Sequence, residues 1–284
     1  MSGRFLYKYV SFDSGYLVLD INTKNKIKFS EPSRFNDPFD CNPVYRETKS
    51  PTKARPDFFR RVEWAGLPPA KRLQANQKAI NRVNFAFRDG RIQEQTLSAV
   101  GILSLTRTPW STLMWSHYAA HHTGFVVEFQ EPEVFQVGQD GTDPKWLVTF
   151  PVEYVKERPV IDVWERASPE SIDRLFVYKS DEWRYEEEER VVRYQGGAGV
   201  FAFEPSLIKS VIAGCRISDD DFQRLRSAVQ EANRGRSDAI KIYRAQLDSK
   251  KYQLNIRDFH RPRPVVSACP ISECDCRSAH HPSP

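Results

Sequence analysis

The chain has 284 residues, a net charge of +5, 40% hydrophobic and 28% charged residues. That composition supports one sizeable core and does not match an intrinsically disordered chain. No run of eighteen apolar residues is present, so no membrane-spanning helix is expected, and five cysteines in a chain this long do not make a disulfide framework.

The start, Met1 to Tyr7, enters a strand pattern directly and lacks the apolar region of a signal peptide. Phe5, Tyr7 and Tyr9 share one alternation, and Ile27 and Phe29 share another ahead of Ser30. Residues 4–30 therefore predict strand, short helix, strand. Pro32 to Asp40 is a loop set by two prolines and by turn-forming Ser33, Asn36 and Asp37. Residues 56–99 have helical composition, divided at Gly66-Leu67-Pro68-Pro69, which predicts a helical insertion at about 50–99. Gly101 to Leu105 is a short apolar strand.

Ser111 to His122 predicts a helix, with Ser111 or Thr112 as its cap and Thr123-Gly124 as its stop. It feeds a strand from Phe125 to Phe129, so Trp115, Tyr118, Phe125, Val127 and Phe129 are expected in the core. Residues 147–155 predict a strand, 169–180 a helix, and 183–194 a strand. The glycines at 196, 197 and 199 then turn it into a hairpin with Val200 to Phe203. Ser210 to Gly214 is a further strand. Ser218 starts a helix whose Asp219, Asp220 and Asp221 sit at the positive end of its dipole. Ala239 to Leu247 and Tyr252 to Ile256 complete the fold as strands.

The order of elements is irregular, without strand–helix–strand alternation. It predicts an α+β fold with mixed, mainly antiparallel sheets and flanking helices. Residues 1–260 read as one domain, and residues 261–284, rich in Pro, Ser and His, as a disordered tail. The tail spacing Cys269-x4-Cys274-x-Cys276-x3-His280-His281 fits no familiar zinc finger, so no metal site is expected there. The isolated Cys41 and Cys215 suit a reducing cytoplasm.

Charge is unevenly spread. Arg46 to Glu94 carries twelve Lys/Arg against five Asp/Glu, and Arg234 to Pro264 nine against three. Both segments suit a polyanion such as nucleic acid, and both also suit a plain solvated helical face.

The most unusual stretch is Trp183-Arg184-Tyr185-Glu186-Glu187-Glu188-Glu189-Arg190, which runs straight into Val191 and Val192. In a strand, Glu186, Glu188 and Arg190 share one face. Charges beside a core need partners or a task. The plain alternative is an ion-pair ladder on a wet face.

Four segments together resemble a bacterial family, domain of unknown function 2971. They are Leu6-Tyr7-Lys8-Tyr9, Phe35 to Asp40, Met114 to Ala119 leading into Gly124 to Phe129, and Lys179 with Trp183, Tyr185, Glu186, Glu188 and Arg190. Their order covers roughly residues 4–256. A weaker likeness joins an aromatic first strand, a second strand ending in Ser, and a late Glu-x-Glu. It resembles the layout of the ADP-ribosyltransferase superfamily, here with Tyr7, Ser30 and Glu186-x-Glu188.

That resemblance implies NAD as substrate and a macromolecular acceptor, nucleic acid being one candidate. Cleaving the nicotinamide–ribose bond builds oxocarbenium-like charge on the sugar. Glu188 would stabilise it, Glu186 would handle the acceptor proton, and Ser30 would hold a carboxylate in place. Tyr7, Tyr9 and Phe35 would stack on nicotinamide, and Arg4, Lys8 or Arg34 would meet pyrophosphate. Asp37 in its loop and His117 on its helix are further candidate ligand contacts. For His117 the plain alternative is a histidine bonded to a buried carbonyl. Two other readings stay open. One is a non-catalytic module binding a protein or nucleic-acid partner. The other is a metal-dependent nuclease built on Asp37, Asp40, Glu186 and Glu188, which the absence of a Lys beside the Glu strand counts against.

Overall fold

A computed structural model of the chain describes residues 4–12, 25–60, 64, 66–131, 147–164, 174–194 and 196–262. The short helix expected between the first two strands, most of the 169–180 helix and the Cys/His tail lie outside these residues. Among the described residues no helix is long and apolar enough to cross a membrane.

The fold is α+β, with a mixed, mostly antiparallel sheet and flanking helices. Eight strands lie in the order β14 (Leu254–Ile256), β13 (Lys241–Leu247), β12 (Ile208–Ala213), β5 (Phe125–Gln130), β1 (Phe5–Val10), β4 (Gly101–Thr106), β10 (Glu188–Arg193), β6 (Phe150–Pro151). Only β12 and β13 run parallel within this sheet. Three two-stranded pairs surround it: β2 (Lys26–Phe29) with β11 (Gly199–Ala202), β3 (Val44–Arg46) with β8 (Val160–Asp162), and β7 (Glu153–Val155) with β9 (Tyr178–Ser180).

Both faces of the central strands are covered, which is why Phe125 to Phe129 is buried without a break. On one face Leu6, Leu103, Leu105, Phe125, Val127 and Val211 meet the β2–β11 pair and the helix Asp219–Ala232. That helix is capped by Ser218, whose hydroxyl accepts the Asp221 amide. On the other face Tyr7, Tyr9, Val126 and Ile212 meet the helix Thr112–Tyr118, capped by Ser111. Trp115 is fully buried there, edge-on to Tyr9, and donates to the Pro109 carbonyl at 2.9 Å. Of the five aromatic and apolar positions expected in the core, Tyr118 alone is half-buried.

Four expectations are corrected. The hairpin after Gly196 does not form. Both edges of β10 are taken by β4 and β6, so β11 pairs with β2, and Gly196 and Gly197 redirect the chain at positive φ. The strand expected from 183 starts only at Glu188. Asp181–Glu186 is a 3-10 helix, and Glu187 turns out of it in the left-handed region. The predicted strand at 147–155 is broken into β6 and β7 at Pro151, which has no amide to donate. The predicted helix over 169–180 ends in the strand β9, paired to β7.

The helix after Ser111 stops at Tyr118, four residues early, because Ala120, His121 and His122 all adopt positive φ. The stop residue is where it was expected. A side chain at Gly124 would lie 2.2 Å from the Val10 carbonyl oxygen. The helices α1 (Pro51–Ala54), α2 (Pro56–Phe59), α3 (Pro69–Arg88) and α4 (Arg91–Ser98) occupy the basic segment between β3 and β4. Below, α5 denotes Thr112–Tyr118 and α6 Asp219–Ala232.

Candidate active site

The centre of the sheet is split. β1 and β5 share six paired positions, and so do β4 and β10, but β1 and β4 share the single pair Tyr7–Thr106. Past that pair β1 leaves β4. Four residues along β4 from Thr106, Ser30 at the end of β2 takes the place beside the strand with two backbone hydrogen bonds to Ile102. Between the two contacts the Lys8 ammonium donates to the Ser104 carbonyl at 2.7 Å.

A cavity of about 430 Å³ opens at this split. Small-molecule sites usually span roughly 300–1,000 Å³. Its walls carry Tyr7, Tyr9 and Lys8 from β1, Ser104 to Thr106 from β4, and Ser30, Arg34, Phe35 and Asn36 from the early loop. Met114, His117 and Tyr118 close it from α5, and Asp40, Lys179, Glu186 and Glu188 form its charged part.

Register explains why these residues meet. Partners directly opposite in a sheet point to the same face. Ser210, Glu128, Tyr7, Thr106 and Glu188 are successive partners across β12, β5, β1, β4 and β10. They make one polar row through an otherwise apolar layer. Glu128 is buried and accepts from Ser210 Oγ at 2.7 Å, Tyr7 Oη at 3.2 Å and Arg261 Nε at 2.8 Å. Thr106 Oγ1 donates to the Glu186 carbonyl at 2.6 Å, which fastens the end of the 3-10 helix onto the sheet.

The acidic segment is not a wet ladder. Glu186 and Glu188 are each 3% exposed and Arg190 is 0% exposed. Arg190 grips both oxygens of Glu188, at 2.9 and 3.0 Å, and also donates to Asp40 Oδ2 at 2.6 Å and the Phe176 carbonyl at 2.7 Å. The Lys179 ammonium bridges Glu186 Oε2, Glu188 Oε2 at 3.0 Å and Asp40 Oδ2 at 3.6 Å. Tyr118 Oη donates to Glu186 Oε1 at 2.6 Å. Three carboxylates therefore face two buried cations, a balance of −1.

Burial alone would raise the Glu188 carboxyl, but Arg190, Lys179 and the Arg190 and Ser104 hydrogen bonds outweigh it and hold it well below the usual carboxylate range. Burial would lower Lys179 and Arg190, and the surrounding carboxylates raise both instead. Lys8 goes the other way: burial pulls its ammonium down to about 8, against the partial support of Glu188 and Glu186. Burial and the Glu186 carboxylate push the Tyr118 hydroxyl up, so it stays a donor.

Of the sequence candidates, Glu186, Glu188, Ser30, Tyr7, Tyr9, Phe35, Arg34 and His117 all line this cavity. His117 is exposed at its rim, edge-on to the Tyr118 ring. Asp37 does not line it. It is buried in its loop, where Oδ1 accepts the Phe39 amide at 2.9 Å. Arg4 lies away from it as well, paired with Glu131 and Glu189. Sequence reading missed Tyr118 and Lys179 as site residues. Tyr118 has the spacing of a core aromatic, and Lys179 lay inside a predicted helix. The signals for Lys179 were its place before the acidic stretch and its part in the fourth segment of the family resemblance. It also removes the objection that the acids lack a lysine neighbour.

No curated protein and no solved structure matches the chain. One family model does match, over the segment that carries α5, β5, Lys179, Glu186, Glu188 and Arg190. That match bears out the family resemblance of the sequence motifs and does not extend to the ADP-ribosyltransferase layout. Residues 114–191 match the family described as Protein of unknown function (DUF2971), and it is to this family that the chain is similar.

Proposed function

We propose that the chain is an NAD-consuming enzyme of ADP-ribosyltransferase type that acts on a macromolecular acceptor at the split-sheet cavity. The observation that carries the reading is the meeting of Tyr7, Ser30, Glu186 and Glu188 on one cavity where β1 and β4 part. Lys8 and Arg34 on the cavity walls suit a pyrophosphate, while Glu186 and Glu188 beside the aromatic rings suit a group carrying or gaining positive charge. The pyridinium of NAD carries one, and its ribose gains one as the glycosidic bond breaks.

In this reaction the bond between nicotinamide nitrogen and ribose C1′ breaks, and its electron pair leaves with nicotinamide. C1′ then bonds to the acceptor nucleophile, whose proton passes to Glu186. Glu188 stays ionised, is fixed by Arg190, and stabilises the developing charge without taking a proton. Its place cost no reorganisation at the moment of reaction, which is where preorganised electrostatics help most. Tyr118 and Lys179 orient Glu186.

The nuclease reading has less support. The Lys179 ammonium fills the point where Asp40, Glu186 and Glu188 converge. Among the described residues no group of three His, Cys, Asp or Glu side chains is arranged to hold a metal.

The test is Glu188→Gln, which keeps the shape and removes the charge. Nicotinamide release by the variant is expected to fall about a hundredfold, equivalent to roughly 3 kcal/mol, while NAD affinity by calorimetry changes little. Wild-type protein that binds NAD without releasing nicotinamide would favour a binding module. Protein that does neither, across protein and nucleic-acid acceptors, would end the enzyme reading.

A further inference from the structure

The longest helix among the described residues has no task in the cavity or the core. α3 spans twenty residues, holds none that is fully buried, and contains five Lys/Arg and no Asp/Glu. Its half-buried side leans on the β3–β8 pair: Phe87 packs on Tyr45 at 5.0 Å, and Asn84 accepts from Trp164 Nε1 at 2.9 Å. Ile80, Val83 and Phe87 are half-buried on this side, whereas Leu73 and Phe85 are exposed. Lys71, Lys78 and Arg82 are exposed and fall seven and eleven residues apart from the first, one stripe on one face. No described carboxylate forms a salt bridge with any of the three, whereas Arg88 pairs with Glu47 at 2.7 Å. A stripe of cations without acids beside it is complementary to a polyanion.

The insertion is tied to the mouth of the cavity. α3 packs on α4, and α4 packs on the turn Pro32–Arg34, which leads into the cavity residues Arg34 and Phe35. Gln93 of α4 donates to Asn42 Oδ1 at 3.0 Å, and Arg158 donates to the same oxygen at 2.8 Å. The Asn42 amide in turn donates to the Phe39 carbonyl. Phe39 is the residue this network presents to solvent. It is 60% exposed, although it lies in the loop whose Phe35 and Asp40 line the cavity. The Arg158 guanidinium lies 5.7 Å from its ring centroid. The ring borders a second hollow of about 260 Å³ with Lys156, Arg158 and Tyr178, and Lys179 walls both this hollow and the main cavity.

We infer that the insertion and the neighbouring cavity rim bind a single-stranded nucleic acid, with phosphates on the α3 stripe and one base stacked on Phe39 beside the cavity. Single strands are held by this pairing of a cationic track with an exposed aromatic ring. A duplex keeps its bases stacked inside and offers Phe39 nothing. The inference rests on the proposed activity only in making this strand the acceptor; the surface itself stands without it.

The experiment uses the full chain without NAD, so the two readings fail separately. Labelled single-stranded DNA and RNA of about twenty nucleotides are titrated by fluorescence anisotropy across a salt series, with the matching duplex, polyglutamate and anionic phosphatidylserine vesicles as comparisons. Single strands are expected to bind best, with a slope of log K against log salt near −2 for about three phosphate contacts. The triple variant Lys71→Glu/Lys78→Glu/Arg82→Glu, at exposed positions, should weaken binding at least tenfold and flatten that slope. Phe39→Ala should weaken it on the order of tenfold and leave the slope unchanged. The proposal is overturned if wild type does not bind single strands, if polyglutamate, duplex or vesicles bind as tightly, or if both variants, still folded by circular dichroism, bind normally. Nicotinamide release without strand binding would sink this inference alone, and strand binding without NAD turnover would sink the proposed function alone.

Discussion

Replacing Arg190 by Met tests the charged network most directly. Arg190 is fully buried and makes five hydrogen bonds, two to Glu188 and one each to Asp40, the Phe176 carbonyl and the Cys41 sulfur. Met fills most of its volume but removes its charge. Asp40, Glu186 and Glu188 are then left with Lys179 alone, and the local balance moves from −1 to −2. Removing one partner of a buried ion pair costs about 3–5 kcal/mol, and stranding two carboxylates puts this variant near the upper end. A chain of this size has roughly 5–15 kcal/mol of stability, so the variant should remain folded but weakened.

Urea unfolding followed by tryptophan fluorescence measures the loss. The double variant Glu188→Gln/Arg190→Met removes one charge of each sign and should recover about 2 kcal/mol relative to additivity. The pH profile adds an independent sign. The folded Glu188 carboxyl titrates below its unfolded value of 4.5, so its contribution is full above that pH and is lost as pH falls towards the folded value. Glu188→Gln should lack that part of the acid loss. A cost under about 1 kcal/mol for Arg190→Met, or a double variant additive within about 0.5 kcal/mol, would refute the reasoning.

Two further outcomes follow from groups flanking the cavity. Lys8 is depressed to about 8 by burial from its ordinary 10.5, so the folded protein binds fewer protons than the unfolded chain between those values. Wild type should therefore gain stability from pH 8 to about 10.5 relative to Lys8→Met, and equal slopes for the two proteins would contradict it. Arg261 partners the buried Glu128 behind Tyr7 and stacks over Phe5, with a third of its own side chain exposed. Arg261→Ala should cost about 1–2 kcal/mol and lower the melting temperature by a few degrees, measured by calorimetry. An unchanged melting point would mean that Tyr7 and Ser210 satisfy Glu128 by themselves.

Much of this protein is written locally. The strand from Phe125, the capped helices after Ser111 and Ser218, and the glycine stop at Gly124 follow from alternation, capping and steric limits that neighbouring residues impose on each other. The acidic stretch announced that its charges needed partners. Its identity as a buried network did not follow, because Asp40 and Lys179 reach it only through the fold. Pairing was equally out of reach of the sequence: β11 has the pattern of a hairpin partner for β10, and goes to β2 because β10 has no free edge. Arg261, read as the start of the tail, is instead a partner of Glu128 more than a hundred residues earlier. The same holds for the cavity. Tyr7, Ser30 and Glu188 were legible as residue types with a task, but what brings them together is a register that pairs β1 with β4 once and then lets Ser30 replace it. Backbone hydrogen bonds carry no sequence label, so such a split is set by the packing of the whole sheet.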